Sequence, residues 1–282
     1  MRAKRNAKGS TTEKRTEKTT IEAVVKTPVV KTHRIAVASL KGGVGKTAVS
    51  ALLSRALAGL TGKPVLAIDL DHNNNLTDYF LRNVDTDTIE SANVYHVLTG
   101  RRKLHDCIYE TGKAGGEAAC NDACVSVLPA TPYLSRSAIE LARDPGAVLR
   151  FARVIKDSGY DTVVLDTPPS LSFELTCALY SSCTVLSPLS FSRWTVQGYQ
   201  LLQDEIAGVA EATGRPPALL ALPVQVNDTQ SKKLRMAGIE GMLSSVIHRS
   251  AAIKSACDTG KPLKEGSRSY EEFLSLAEEL LC

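Results

Sequence analysis

From residue 35 onward, short apolar runs alternate with stretches in which apolar positions recur every three to four residues. Runs that are apolar throughout suit strands buried on both faces, and the recurring stretches suit helices that cover them. The pattern predicts strands at 35–39, 65–69, 125–128, 162–166, 184–188 and 218–222. Helices are expected at 48–60, 147–156, 196–212, 231–245 and 270–281. Strand and helix in alternation give an α/β fold, a single doubly wound and mostly parallel sheet with helices on both faces. Ligands of such sheets bind beyond the carboxyl ends of the strands. Three of these ends carry chemistry, at 41–47, 69–75 and 166–169.

Residues 41–47 read Lys-Gly-Gly-Val-Gly-Lys-Thr, directly after the first strand and directly before a helix whose apolar positions are Val49, Leu52, Leu53, Ala56, Leu57 and Leu60. Glycines let consecutive backbone N–H groups turn inward on an anion, a lysine reaches the outer phosphates and a hydroxyl serves magnesium. Gly42, Gly43, Gly45, Lys46 and Thr47 supply these parts, with Val44 and Ala48 completing the contact stretch. The helix N-terminus adds its own pull on negative charge. A nucleoside triphosphate is the expected ligand, and the fold is of the P-loop type.

The loop departs from the general phosphate-loop pattern, which places a glycine where Leu40 stands, and a second lysine, Lys41, heads the loop instead. This deviant form resembles the ParA/MinD/nitrogenase-iron-protein superfamily. The resemblance implies that Lys41 reaches across a homodimer to the partner's nucleotide, where a cation supplied in trans neutralises charge on the transferred phosphoryl group. A solvated loop lysine is the alternative reading of Lys41 taken alone.

After the second strand comes Asp69-Leu70-Asp71-His72-Asn73-Asn74-Asn75-Leu76-Thr77. Two carboxylates at a strand end facing a phosphate loop are placed to order a magnesium shell and an attacking water. The segment is similar to the ParA switch, keeping Asp69, Asp71, Asn75 and Thr77 while His72, Asn73 and Asn74 replace Pro, Gln and Gly. That resemblance implies that Asp71 positions the water and that Asp69 lies near the metal. Asparagine tolerates positive φ, so the turn at Asn74 is expected to survive. The strand at 162–165 then delivers Asp166-Thr167-Pro168-Pro169, a Walker B arrangement in which Asp166 joins Thr47 at magnesium. The stretch 125–130 and the segment from Val246 through Leu263 to the last helix also resemble ParA proteins, so the likeness covers roughly residues 33–282.

Charge changes the picture at one end. Residues 1–34 hold ten Lys or Arg against three Glu, which leaves 24 basic and 27 acidic residues beyond them, a balance of −3. Residues 1–32 are read as a disordered basic arm preceding an ATPase domain at 33–282. A cationic arm suits nucleic acid held through phosphate neutralisation, and a solubilising tail fits the composition equally. At this length it is too short for a helix-turn-helix domain. Apolar stretches such as 218–223 fall far short of the roughly 20 residues that cross a bilayer. The odd count of seven cysteines suits free thiols and, with no apolar leader core, a cytoplasmic protein.

The family likeness implies a partition ATPase with slow intrinsic turnover that takes ATP and Mg2+. In its ATP state it dimerises and binds DNA nonspecifically over the nucleoid, and a ParB-like partner stimulates hydrolysis. Lys232, Lys233, Arg235, Arg249 and Lys254 are candidate DNA contacts. A MinD-like ATPase acting at a membrane or on a protein cargo is the second reading, against which the acidic last helix, with Glu271, Glu272, Glu278 and Glu279, is expected to dock on the core. An iron-sulfur reductase is the third, resting on Cys120 and Cys124 alone.

Overall fold

The computed structural model describes residues 32–111, 125–141, 144 and 146–282. The expected arm lies outside these residues apart from Thr32, as do Cys120 and Cys124. Strands β1 (His33–Val37), β2 (Val65–Asp69), β3 (Tyr109–Glu110), β4 (Val125–Leu128), β5 (Thr162–Asp166), β6 (Thr184–Leu189), β7 (Ala218–Val226) and β8 (Ile247–His248) form one sheet in the order β3-β4-β2-β5-β1-β6-β7-β8. Every neighbouring pair is parallel except β3 with β4. The expected mostly parallel, doubly wound sheet is therefore present.

Alternate residues of each strand face opposite helical layers, because side chains in a strand repeat every two residues. Ile35, Val37, Val65, Ala67, Val164 and Leu186 pack on one face with α1 (Lys46–Thr61), α2 (Asn75–Leu81), α10 (Ala251–Thr259) and α11 (Arg268–Leu281). Ala36, Leu66, Ile68, Val163, Leu165 and Val185 pack on the other with α4 (Val94–Leu98), α6 (Ala147–Lys156), α7 (Phe173–Ser181) and α8 (Arg193–Thr213). The helices α3 (Thr86–Ser91), α5 (Ser137–Leu141) and α9 (Asp228–Met236) are short and peripheral. In α11, Phe273, Leu276 and Ala277 are buried in the layer that holds α1, as expected of a helix docked on the core.

Two expectations need correction. The helix expected at 231–245 is α9, which starts earlier and stops at Met236. Asn227 and Gln230 form a reciprocal capping box that fixes the start, and Gly238 and Gly241 adopt φ of 66° and 72° beyond the end. At Gly241 a Cβ would sit 2.3 Å from the Leu219 carbonyl oxygen, so the chain there closes on β7 instead of coiling. The first strand ends at Val37, not residue 39, because Ser39 already belongs to the turn that opens the phosphate loop.

Candidate functional site

The loop between β1 and α1 sits at the sheet centre, where β1 lies between β5 and β6. Gly43 and Gly45 have φ of 73° and 90°, left-handed values that a side chain resists. Gly45 is the N-cap of α1 and brings no side-chain cap, so the first-turn N–H groups of the helix face the loop. Lys46 is buried, and among the described residues its hydrogen bond is a long one, 3.5 Å from Nζ to the Lys41 carbonyl oxygen. Burial lowers its pKa, against the opposing charges of Asp166 and Asp71. A desolvated ammonium beside uncapped helix donors is a cradle that an anion completes.

Asp69 and Asp166 end neighbouring strands and are register partners. Asp166 accepts from the Thr47 hydroxyl and from the Ser50 hydroxyl, each at 2.8 Å. With its proton committed to Asp166, the Thr47 oxygen keeps lone pairs for a cation. Asp69 accepts at Oδ2 from the Thr77 amide at 2.9 Å and the Thr77 hydroxyl at 2.8 Å, and at Oδ1 from the Asp71 amide at 3.0 Å. Asp69 thus ties the turn and α2 to the sheet. Burial raises both carboxyls: Asp69 to about 7, with the neighbouring Asp166 charge adding to it, and Asp166 to about 6 despite the Ser50 and Thr47 donors. Two carboxylates, Asp166 and Asp71, act on the buried Lys46 ammonium, and Asp69 stands beside Asp166. A divalent cation fits that surplus of negative charge.

Asp71 is 6% exposed, and its Oδ1 accepts from the Asn73 amide and side chain at 3.0 and 2.9 Å. Asn74 adopts φ 47° and caps α2, so asparagine holds the turn where the similar switch has glycine. The Lys41 ammonium donates to the Ser192 hydroxyl at 2.9 Å, at the start of α8.

Beyond Gly45 a cleft of about 430 Å³ runs between the loop residues Val44 and Ala48 and a second wall of Gln225, His248, Arg249, Lys254 and Phe273. A larger cavity of about 550 Å³ lies by Leu104, Arg153 and Tyr160, near the start of β5 and so at the opposite strand end from the loop. Size alone does not mark the site; the smaller cleft is the one that adjoins the phosphate loop. Arg249 and Lys254, expected as DNA contacts, line this cleft. Lys232, Lys233 and Arg235 are exposed on α9, with Lys233 over the Phe191 ring and Arg235 donating to the Ser244 carbonyl. Sequence reasoning missed Ser50, Ser192, Gln225 and His248. Ser50 carries a faint signal, a serine one turn after Lys46 among apolar helix positions, whereas the other three carry none.

A family profile described as an AAA domain matches residues 32–216, more than half of the chain. The chromosome-partitioning ATPase Soj of Thermus thermophilus is 31% identical over 267 residues, covering 89% of this chain and 96% of Soj. The chain belongs to the ParA/Soj family of P-loop ATPases. Two solved structures agree with this ParA-family fold. Cobyrinic acid a,c-diamide synthase from Mycobacterium smegmatis, with bound ATP analogue and magnesium, is 26% identical with a TM-score of 0.73, over 89% of this chain and 94% of that one. The McdA(D38A)–ATP complex from Cyanothece has a TM-score of 0.73 at 19% identity, over 89% and 96%. No described helix is long and apolar enough to cross a membrane.

Proposed function

We propose that this ParA-family protein is a partition ATPase that closes as a homodimer on ATP and Mg2+, binds DNA nonspecifically in that state and is reset by a ParB-like activator. Residues 33–282 act as the ATPase domain and 1–32 as its basic arm, in a cytoplasmic, nucleoid-associated protein. One observation carries the reading: Lys46 is the buried lysine of the loop, while the Lys41 ammonium bonds to Ser192 at the start of α8. A lysine that Lys46 leaves without a role at its own loop can serve a second subunit's nucleotide.

In this reading the backbone from Lys41 through Gly42, Gly43, Val44 and Gly45 to Ala48 cups the phosphates, and Lys46 neutralises the outer ones. ATP with Mg2+ supplies the scissile phosphoryl group and the cation that shields it. Thr47 and Asp166 hold that cation. Asp71 orients the attacking water, its carboxylate fixed by Asn73. Asp69, expected near the metal, is reassigned to bracing the switch, since its oxygens already accept three hydrogen bonds. Intrinsic turnover is slow, because the trans lysine and the activator complete the site only in the assembly. Lys232, Lys233 and Arg235 are the outward cations for DNA phosphates, and their contribution weakens with salt. The MinD-like alternative is disfavoured by α11, whose apolar residues Phe273 and Leu276 are buried in the core and not offered to lipid.

The test is size-exclusion chromatography with ATP or ADP, with and without DNA, on wild type, Lys41→Ala and Asp71→Ala. Asp71→Ala is expected to accumulate as an ATP dimer that co-elutes with DNA, and Lys41→Ala to bind nucleotide yet stay monomeric. A Lys41→Ala protein that dimerises and turns over like wild type would falsify the trans role.

A further inference from the structure

The cleft beyond Gly45 is where the base of a nucleotide held by the phosphate loop would lie, and on its outer wall His248 holds a carboxylate on each ring nitrogen. Nδ1 lies 2.7 Å from Glu272 Oε1 on α11, and Nε2 lies 2.9 Å from Asp228 Oδ1 at the start of α9. The His248 amide donates to the other Glu272 oxygen at 3.0 Å. Arg268 closes the cluster, with Nε 2.9 Å from Glu272 and Nη2 3.6 Å from Asp228. One ring thus bridges the carboxylates of two helices, α9 and α11.

A second observation points to the same residue. Val224 pairs with Ile247 but Val226 pairs with His248, so Gln225 is an extra residue in β7. Its φ of 54° is a left-handed value that costs a non-glycine residue about 1 kcal/mol or more. Bulges re-aim the side chains beside them and gather near functional sites. Here the bulge sets His248 opposite Val226, two residues from Asp228. The other charged or titratable groups on this side are Arg249, next in the chain, and Lys254 and Cys257 of α10, which line the same cleft.

We propose that His248 is a positioning residue for the nucleotide. Its ring is a clasp that pins the outer wall of the cleft to α9 and α11, and through Asp228 it links nucleotide occupancy to the helix that carries Lys232, Lys233 and Arg235. Asp228, with a side chain 79% exposed, is the partner that swings away when the clasp is broken, and the wall loosens. Nucleotide affinity therefore falls when either partner of the clasp is lost. The inference rests on the nucleotide reading of the cleft.

Isothermal titration of ADP with Mg2+ tests it on wild type, His248→Gln and Asp228→Asn, with hydrogen exchange of the α9 amides read with and without ADP. His248→Gln should bind ADP about fivefold more weakly, the scale of one charge-assisted hydrogen bond, and ADP should no longer protect α9. Asp228→Asn changes an exposed side chain, so folding is not at issue, and it should likewise uncouple α9 from ADP. Wild-type affinity and wild-type protection of α9 in both variants overturn the clasp. A wild type that binds no ADP overturns the nucleotide reading itself, and the clasp with it.

Discussion

The two ends of the proposed nucleotide site are built on different physical principles. At the phosphate end, Lys46, Asp69, Asp71 and Asp166 are buried, and the three carboxylates are fixed by hydrogen bonds of 2.8–3.0 Å from Thr47, Ser50, Thr77 and the switch backbone. At the base end the wall hangs on β8, two residues long at the sheet edge, and on α9 and α11, joined through the partly exposed ion cluster of His248. Buried, paired charges hold their geometry before a ligand arrives, whereas exposed pairs contribute little rigidity and yield readily. The difference teaches that charge recognition is preorganised here, while the C-terminal edge is the part able to respond.

The sharpest break of that contrast lies in Phe273, which lines the base-side cleft yet is 2% exposed within the core layer of α1. Phe273→Ala should cost about 4 kcal/mol in urea unfolding, the usual loss for a buried aromatic. A loss near 1 kcal/mol would mean that the C-terminal edge repacks freely and that α11 is no anchor for the cleft wall.

Legibility in the sequence follows the same division. The phosphate end is contiguous: seven loop residues and two strand-terminal acids are visible because each element is fully buried and the glycines stand where the backbone needs φ near 73° and 90°. The six expected strands were readable for the same reason, whereas β3 and β8, two residues each at the sheet edges, were not. Short helices such as α2 and α3 escape a periodicity reading because one or two turns do not establish a period, and α7 escapes because its residues, even Glu174, are buried nearly all round. The base end was opaque. Its wall depends on a bulge at Gln225 and on residues from β8, α9, α10 and α11 meeting in space, and the helix expected across 231–245 hid the turn at Gly238 and Gly241 that lets β8 return to the sheet.

A smaller effect in free energy, but one confined to function, is expected at the phosphate end. Lys46→Ala should weaken ADP and ATP binding about a hundredfold or more by calorimetry, since a buried ammonium is lost opposite several phosphate oxygens. Lys254→Ala, at the rim of the other wall and exposed, should cost under about tenfold. Equal losses at the two lysines would erase the distinction between a preorganised and an adjustable end.

The finest test compares the two non-glycine residues with positive φ, one at each end: Asn74 at 47° in the switch and Gln225 at 54° in the bulge. Asparagine visits the left-handed region at modest cost, so Asn74 is a routine turn residue; glutamine has no such tolerance. Gln225 also donates from Nε2 to the Gly43 carbonyl at 3.4 Å, a long bond that reaches from the adjustable wall to the phosphate loop. In Gln225→Gly the relieved strain, about 1 kcal/mol, is offset by the wider freedom of glycine in the unfolded chain, so stability should stay within about 0.5 kcal/mol of wild type. ADP affinity should still drop about threefold, because the link between the walls is gone and a bond of that length is weak. Gln225→Ala keeps the strained backbone and loses the same link, so it should bind like the glycine variant while unfolding more easily. Wild-type affinity in both variants would show that the bulge serves only to place His248, and that the two ends of the cleft meet through the nucleotide alone.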